Sequence, residues 1–581
     1  MKADFKIQRR VMNADVIADW AEEVAPVLQR IYQHRDIHNF TQLDYQLKRL
    51  EGFDKLKDIG SAVDCLVESL AQQHRILIIG DFDADGATST TLAVRVLRAM
   101  GAAHVEYLVP NRFEYGYGLT PEIVAVASQS IPDLIITVDN GISSIAGVDA
   151  ANQLGIQVLV TDHHLPGHDL PTAVAIVNPN QANDVFPSKN LAGVGVIFYV
   201  MLALRSRLRE LDWFNKQSIE EPNLAHYLDL VALGTVADVV KLDHNNRILV
   251  SQGLARIRSG QCCSGILSLL KIAGRDYRRT TASDLGFCVG PRLNAAGRLE
   301  DMSVGIECLL TDDETAAMTL ATQLDDLNHT RRSIESDMKT QALTVLETMQ
   351  LDNADDFPVG VCLFDEEWHE GVIGILASRI KDRLHRPVIA FARSTNGMIK
   401  GSARSIPGIH IRDVLDSVAA HHPDLLEKFG GHAMAAGMTL STTAYEAFRK
   451  AFDDEVRRVA TEEVLTNVVL SDGELSVTEL NLQTAQTLRD AGPWGQGFPE
   501  PLFDGDFKVV NKRIVGERHL KLQVKPLTGD TTIDAIAFNL TDAEWPATVS
   551  RVHLAYRLDV NEFNGKITPQ LIVEKLTCLA E

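Results

Sequence analysis

Short apolar runs alternate with helical stretches between residues 75 and 238. Each run is rich in β-branched residues and apolar on both faces, as a parallel sheet covered by helices on both sides requires. The segments 87–100 and 143–154 between them have the length of crossover helices. This pattern predicts an α/β fold with a mostly parallel sheet. The predicted strands are 75–80, 104–110, 133–139, 156–162 and 173–179.

A long helix is predicted after this region, because neither glycine nor proline occurs between Gly305 and Pro358. Apolar residues recur there at steps of three, four or seven, which marks one face of a helix. A helix of about 35 residues would extend about 50 Å and connect two lobes. The apolar positions are Leu320, Leu324, Leu327, Ile334, Met338, Ala342, Val345 and Met349.

The rest of the chain predicts a second α/β lobe over 358–460, followed by five short strands. The dipeptide Asn564-Gly565 separates the last two strands and favours a type I′ hairpin turn. Five strands of this kind indicate a small β-barrel of the OB type. The predicted domains are an N-terminal helical segment over 1–60, a first α/β domain over 61–305, a connecting helix over 306–352, a second α/β domain over 353–462 and the OB-fold barrel over 463–581.

Composition excludes several classes of protein. With 45% hydrophobic and 23% charged residues the chain is globular, and a formal net charge of −22 argues against a protein that coats duplex DNA by bulk attraction. The uncharged stretch from Asn190 to Leu204 is shorter than a membrane span, and the charged N-terminus lacks the apolar core of a signal peptide. The seven cysteines show no CxxC spacing. We therefore expect a cytoplasmic protein with reduced thiols and no membrane partner.

Acidic and histidine side chains follow the predicted strands. Asp81, Asp83 and Asp85 come after the first strand, Asp139 ends the third, and the Asp162-His163-His164 triplet ends the fourth. Because the carboxyl ends of parallel strands lie at one edge of a sheet, these side chains should converge in a single crevice. Asp238, in the segment GTVAD, is a further candidate.

Gathered carboxylates repel one another by about 4 kcal/mol per pair at 4 Å and an effective dielectric constant of 20, so cations must offset them. Oxygen ligands with imidazole suit Mg²⁺ or Mn²⁺. Two such ions can activate a water molecule for phosphoester hydrolysis, and Asp139 is the predicted bridging carboxylate. The alternative for any single aspartate is a helix N-cap or a turn.

The segments GDFDADG, VDNGIS, TDHH and GTVAD resemble, in order and spacing, the four motifs of the DHH phosphoesterases. The resemblance implies that the two α/β domains are a DHH catalytic domain and a DHH-associated substrate-binding domain. It makes Asp139, His163 and His164 catalytic, with His164 facing the scissile phosphate. Where several relatives carry a histidine before the first acidic motif, this chain has Ile79 and Gly80, so Asp81 or a water molecule would complete the first metal. The implied metal ligands are Asp81, Asp83, Asp85, Asp139, His163 and Asp238.

Five further segments, among them GPRLNAAGRLED (290–301) and FGGHAMAAGMTL (429–440), are similar to the single-strand-specific exonucleases of this family. The similarity implies a metal-dependent nuclease that removes 5′-mononucleotides from single-stranded DNA in recombination and repair. The 5′-to-3′ polarity rests on this resemblance alone. So do a monomeric state and partnership with single-strand-binding protein and a recombination helicase.

Substrate contacts are predicted on two kinds of segment. Guanidinium groups and glycine-freed backbone amides are suited to holding a phosphate, and an aromatic loop can stack a base or sort strand ends. Surface arginines and glycine turns are common without such a role. The predicted substrate-binding residues are Arg112, Tyr117, Arg292, Asn294, Arg298, Ser402, Arg404, Gly430, Gly431 and His432.

The barrel carries the basic surface that the acidic chain otherwise lacks. Six basic residues and one acid, Glu517, lie between Lys508 and Lys525. A stretch of this kind favours contact with a nucleic-acid backbone. Its predicted DNA-binding residues are Lys508, Lys512, Arg513, Arg518 and Lys521.

Two other functions remain open from the residues alone. One is a DHH-family phosphodiesterase acting on small nucleotides or oligoribonucleotides, for which a barrel with a basic stretch has no obvious task. The other is a non-catalytic nucleic-acid scaffold of the same fold, which would be expected to have lost acidic or histidine positions that are filled here.

Overall fold

The computed structural model describes residues 5–12, 19–20, 24–110, 118–352, 357–394, 397–516, 519–538, 540, 550–563 and 565–579. The predicted substrate residues Arg112 and Tyr117 and the predicted DNA contact Arg518 lie outside these ranges. The strands are β1 (Phe5–Arg9), β2 (Ile76–Gly80), β3 (Val105–Leu108), β4 (Leu134–Val138), β5 (Gln157–Thr161), β6 (Ala175–Val177), β7 (Val361–Asp365), β8 (Val388–Arg393), β9 (Met398–Arg404), β10 (Lys428–Gly431), β11 (Ala435–Ser441), β12 (Asn467–Ser471), β13 (Phe503–Val515), β14 (His519–Pro526), β15 (Ile533–Ala537), β16 (Arg551–Phe563) and β17 (Lys566–Cys578).

A π-helical turn, Leu285–Val289, separates two of the helices, α11 and α12. The α-helices are α1 (Pro26–Gln33), α2 (Ile59–Gln72), α3 (Ala84–Ala99), α4 (Pro121–Ala127), α5 (Ile145–Gln153), α6 (Gly193–Glu210), α7 (Trp213–Gln217), α8 (Leu228–Ala237), α9 (His244–Arg258), α10 (Ser264–Ile272), α11 (Ala282–Asp284), α12 (Gly290–Leu299), α13 (Ser303–Leu310), α14 (Glu314–Asp352), α15 (Ile373–Leu384), α16 (Ile411–His421), α17 (Tyr445–Val459), α18 (Glu462–Leu465) and α19 (Leu482–Asp490).

The chain divides into two compact units. The large unit comprises Arg10–Asn328 and Asp472–Glu581, and the small unit comprises Met1–Arg9 and His329–Ser471. The boundary at 471/472 differs from the predicted start of the barrel domain at 463, because β12 pairs in parallel with β1 and so belongs to the small unit.

The large unit contains the predicted parallel sheet. Its strand order is β3-β2-β4-β5-β6, and every neighbouring pair is parallel. All five predicted strands are confirmed to within two residues at either end. Their alternate side chains enter two separate apolar clusters. One lies against α2, α3, α6 and α8, and the other lies against α4 and α5. Burial on both faces explains the continuous apolar runs in the sequence.

The barrel is also part of the large unit. Strands β13-β14-β15-β17-β16 close into a barrel, which confirms the predicted OB-type domain. Helix α1 packs between this barrel and the parallel-sheet domain, since Val27 and Ile31 join the barrel core while Tyr32 joins the core beneath the parallel sheet. Arg35, which follows α1, forms two hydrogen bonds with buried Asp472 at 2.8 and 3.0 Å. The N-terminal segment therefore ties the barrel to the parallel-sheet domain.

The small unit is built on a second sheet, of order β10-β11-β9-β8-β7. The predicted connecting helix over 306–352 is two helices, α13 and α14, and the boundary between the units falls within α14. The break occurs because the Asp313 carboxylate accepts hydrogen bonds from the backbone N–H groups of Thr315 and Ala316 and so starts a new helix. Within the described ranges, the helices lack the combination of length and hydropathy needed to cross a bilayer.

Candidate metal centre

The candidate ligands lie at the carboxyl edge of the parallel sheet, as predicted. Asp81 follows β2, Asp139 follows β4, and His163 and His164 come just after β5. Asp83 and Asp85 lie at the start of α3, and Asp238 is the C-terminal cap of α8. The topology therefore brings segments that are up to about 157 residues apart in sequence to one place.

Three overlapping groups of side chains each offer ligand atoms that lie within 4.8 Å of one another. Asp139 is shared by two of the groups, and His163 is shared by two. Nε2 of His163 lies 3.0 Å from Oδ1 of Asp139 and 3.5 Å from Oδ2 of Asp238. The groups are Asp81, Asp83 and Asp139; Asp139, His163 and His164; and Asp85, His163 and Asp238.

Asp83 and Asp85 are held by backbone amides as well. Oδ1 of Asp83 accepts from the N–H groups of Asp85 and Gly86, so this residue is the N-cap of α3 in addition to its predicted role. The carboxylate of Asp85 accepts from the N–H groups of Gly193 (2.6 Å) and Val194 (3.0 Å), at the N-terminus of α6. A helix N-terminus stabilises a negative charge at this position.

Gly193 was not among the predicted site residues, although the site depends on it. A Cβ atom at this position would lie 2.5 Å from Cβ of Asp139. Asp139 itself has a φ of +62°, which is uncommon for a residue other than glycine and is found mainly where the surroundings enforce it. Glycine at the start of α6 therefore lets the helix approach the strand end closely enough for its amides to reach Asp85.

The buried carboxylates oppose joint ionisation. Burial, together with the charge of Asp83, raises the pKa of Asp85 to about 7. Burial and the charges of Asp85 and Asp83 also raise the pKa values of Asp139 and Asp238 well above the usual range. A divalent cation among these groups would favour the ionised forms. The oxygen-rich donor set with imidazole nitrogen fits Mg²⁺ or Mn²⁺.

Asp162 is the second residue that the predicted site left out. It is almost fully buried, and its Oδ1 accepts from Nδ1 of His164 (2.8 Å) and from the N–H groups of His163 and His164. Burial alone would lower the pKa of His164, but the hydrogen bond and charge of Asp162, with the charges of Asp81 and Asp83, raise it to about 9. Asp162 therefore orients the His164 ring, and the first letter of the DHH triplet was the signal for it.

The predicted substrate residues Arg292 and Asn294 are engaged within the large unit. Arg292 forms an ion pair with Asp325 (2.8 Å) and donates to the carbonyl of Cys288 (2.6 Å). Oδ1 of Asn294 accepts from the N–H of Ala84, in the acidic loop. Arg298 lies partly buried in the last turn of α12, next to Gly297, whose close approach to the carbonyl of Phe82 leaves no room for a Cβ atom. Helix α12 thus supports the metal-site loop directly.

The small unit brings its own predicted residues together on one sheet. Ser402 on β9 lies opposite Gly437 on β11, which in turn lies opposite Gly430 on β10. Arg404 donates to Oγ of Ser402 (3.1 Å), and the start of α15 lies against both side chains at Gly374. In the part of the chain that the structure describes, Arg404 forms no ion pair with a carboxylate.

The turn of the GGH segment completes this sheet. Gly431 has a φ of +150°, and a Cβ atom there would lie 2.4 Å from the carbonyl of Ala435. The N–H of His432 donates to that same carbonyl. A guanidinium, a hydroxyl and a helix N-terminus next to this turn form a suitable environment for a phosphate group.

Register decides which barrel residues share a face. Lys508 lies opposite Lys525. A β-bulge between Val509 and Asn511 then shifts the pairing by one residue, so Arg513 lies opposite Lys521 on the same face. Lys512 instead lies opposite fully buried Leu522, on the other face of the strand. The like-charged pairs repel one another unless an anion lies over them. Two of the cations are offset by acids, since Lys521 pairs with Asp534 (2.9 Å) and Lys525 pairs with Asp530.

Family models match three parts of the chain. The DHH family, N-terminal domain, matches residues 75–235. The DHHA1 domain matches residues 356–458, and the RecJ OB domain matches residues 471–575. These matches cover the parallel sheet with its metal-site residues other than Asp238, the sheet of the small unit, and the closed barrel apart from the last three residues of β17.

The chain is similar over nearly its whole length to curated proteins named single-stranded-DNA-specific exonuclease RecJ. It is 55% identical to the protein of Dickeya dadantii over 96% of both chains. It is 52% identical to that of Escherichia coli K12 over 99% of this chain and 100% of the relative. Among solved structures, RecJ of Thermus thermophilus in complex with Mn²⁺ matches with a TM-score of 0.79 and 32% identity, over 96% of this chain and 77% of that one.

Proposed function

Since the chain belongs to the RecJ family of exonucleases, we propose that it degrades single-stranded DNA from the 5′ end and releases 5′-mononucleotides, using two divalent metal ions. The observation that carries the proposal is the overlap of three ligand groups at the carboxyl edge of the sheet, with Asp139 and His163 each shared by two of them. These groups would hold two adjacent ions, and Asp139, as a member of two groups, would contribute to both. Mn²⁺ and Mg²⁺ were bound in the matching RecJ structures.

The ligands would be Asp81, Asp83, Asp85, Asp139, His163 and Asp238. When bound, the ions activate water and stabilise the entering and leaving oxygens of a phosphodiester. Helix α6 holds Asp85 through two amides, and α3 is capped by Asp83, so both carboxylates keep a fixed orientation. Asp139, His163 and His164 are the proposed catalytic residues.

His164 would contact the scissile phosphate. Its Nδ1 is engaged by Asp162, and its Nε2 would donate a hydrogen bond to a phosphate oxygen. Because Asp162 keeps the ring protonated near neutral pH, this contact would be charge-assisted. The same Asp162 carboxylate also holds the backbone of this segment, because it accepts hydrogen bonds from the His163 and His164 amides.

The proposed strand-binding residues lie in both units. Arg404, Ser402, Gly430, Gly431 and His432 would hold a phosphate group on the sheet of the small unit. In the barrel, Lys508 and Arg513 would contact the DNA backbone, since both side chains are exposed on the face with the like-charged pairs. Lys521 shares this face but is partly offset by Asp534, and Lys512, which lies opposite buried Leu522, would contribute less to DNA binding.

The remaining parts of the proposal rest on family membership. The enzyme would act in recombination and repair, in the cytoplasm, as a monomer that works beside single-strand-binding protein and a recombination helicase. A small-nucleotide phosphodiesterase is the less favoured function, because it would leave the cationic barrel face without a task.

The test is product analysis on DNA labelled at either end, single-stranded or duplex, with Mg²⁺, Mn²⁺ or a chelator. We expect labelled mononucleotide to appear first from the 5′ end of single strands, and only with metal. Asp139→Ala should abolish hydrolysis while single-strand binding is kept, whereas Asp169→Ala, at an exposed aspartate outside the cluster, should behave as wild type. Turnover by Asp139→Ala with Mn²⁺, or first release from the 3′ end, would refute the assigned role or the polarity, respectively.

A further inference from the structure

Phe287 is an aromatic side chain exposed to solvent at a rigid position. It is 75% exposed, compared with 49% for Phe40 and 52% for Phe538. The residues two before and two after it, Leu285 and Val289, are fully buried. The backbone at this point is therefore fixed by packing while the phenyl ring points outward.

The π-helical turn Leu285–Val289 explains this geometry. Pro291 has no N–H to donate to the carbonyl of Phe287, and in a regular α-helix its ring would collide with that carbonyl. The wider turn avoids the collision. Turns of this kind occur frequently at functional sites.

The same turn packs against the helix that carries a metal ligand. A Cβ atom at Gly286 would lie 3.2 Å from Cγ1 of Val236, and one at Gly290 would lie 3.2 Å from Cβ of Ala237. Val236 and Ala237 are the two residues before the metal ligand Asp238. Phe287 therefore sits on the scaffold of the metal centre, one helical turn before Arg292.

This scaffold also reaches the barrel, through Arg279. Arg275 is half exposed and lies 3.3 Å from Asp284, at the start of the turn. Arg279 forms an ion pair with Glu562 on barrel strand β16. Arg278, between them, is largely exposed. Three arginines and two acids, Asp276 and Asp284, thus occupy the stretch between the metal centre and the barrel.

We propose that Phe287 stacks on a base of the single strand between the barrel and the metal centre. The inference deepens the proposed function and rests on it. Exposed aromatic rings combined with cations are the usual means of binding single strands without reading their sequence. The bases of a duplex are already stacked, so this contact would also disfavour double-stranded DNA.

The test measures affinity in the presence of chelator, so that the strand is not cut. Phe287→Ala should weaken binding of a single-stranded oligonucleotide roughly 5- to 150-fold, and Phe287→Trp should restore it. Phe287→Leu, which keeps an apolar side chain without a ring, should resemble the alanine variant. Leu154→Ala is the control, because Leu154 is 57% exposed and precedes β5 at the opposite edge of the sheet.

An abasic scan locates the contact. A single abasic site is moved along the oligonucleotide. The wild-type protein should bind more weakly when the site is at one particular position, whereas the affinity of Phe287→Ala should not change when the site is at that position. Equal affinity and an equal scan for wild type and Phe287→Ala would overturn the inference. If wild type fails to degrade single strands, the proposed function fails. Degradation by wild type together with an unaffected Phe287→Ala variant would refute this inference alone.

Discussion

Asp162→Asn isolates the contribution of a buried carboxylate that touches His164. Asp162 accepts four hydrogen bonds: three at Oδ1, from the His163 and His164 amides and from Nδ1 of His164, and one at Oδ2, from the N–H of Ile142 at 2.9 Å. Asparagine preserves the size of the side chain but removes the charge. One end of its amide is a donor, so either Ile142 or the histidine segment must lose an acceptor.

Two effects follow, with different magnitudes. Leaving one buried donor unsatisfied lowers the free energy of unfolding by about 1–3 kcal/mol. Loss of a residue that orients a metal-site histidine lowers activity roughly 10- to 100-fold. Without its anionic partner, the pKa of His164 should also fall from about 9. Activity should therefore decline more steeply above pH 7 in the variant than in wild type.

The assay is kcat/KM on a short single strand between pH 6 and 9, with a urea denaturation at each pH. The raised pKa of His164 contributes stability that is present below its unfolded value of about 6.5 and is lost as pH rises through about 9. The lowered pKa of Asp162 contributes stability that is lost as pH falls below its unfolded value. The variant should thus be most destabilised, relative to wild type, between the unfolded-state pKa values of Asp162 and His164, about 3.9 and 6.5, so the urea denaturation is extended down to pH 5. An activity ratio to wild type that stays constant over the pH range of the activity assay would refute the argument.

Three further results are expected. Without metal, the pKa values of Asp85, Asp139 and Asp238 are raised, so their ionisation destabilises the metal-free protein as the pH rises toward 7. The increase in melting temperature caused by Mn²⁺ should therefore be larger at pH 7.5 than at pH 5. An equal increase at both pH values would contradict the assigned ligands. Asp472→Asn leaves buried Arg35 without its carboxylate and should lower the free energy of unfolding by about 3–5 kcal/mol in urea denaturation, while a change within about 1 kcal/mol would show that the pair is dispensable. Arg513→Ala should reduce the slope of log affinity against log salt by about 1, whereas Lys512→Ala, on the opposite face, should change it less; the reverse order would refute the register argument.

The barrel shows why point substitutions are preferable to truncation. Removing the chain after residue 471 would expose Val27 and Ile31 of α1, which are part of the barrel core, and would leave Arg35 without Asp472. Loss of DNA affinity in such a truncated chain would then mix misfolding with loss of contacts. Substitutions on the exposed face avoid this difficulty.

Much of the architecture was predictable from the sequence, because it depends on local periodicity. Continuous apolar runs predicted the five parallel strands, and the strand ends predicted that Asp81, Asp139 and His163 would meet at one edge. That inference needs only the rule that parallel strands share an edge. The five barrel strands were predictable from local signals of another kind, namely short strand-forming segments and the Asn564-Gly565 turn dipeptide.

Other features depend on contacts between residues distant in sequence. Nothing local to Gly193 indicates that its amide binds Asp85, and nothing local to Arg10–Gln33 indicates that α1 joins the barrel core. The bulge that places Lys508 and Arg513 on one face is a matter of pairing between strands. Periodicity thus determined which elements form and where the chemistry clusters. Only the tertiary structure decided which side chains are held, shared or exposed, because burial and hydrogen-bond partners are set by neighbours that the linear order does not specify.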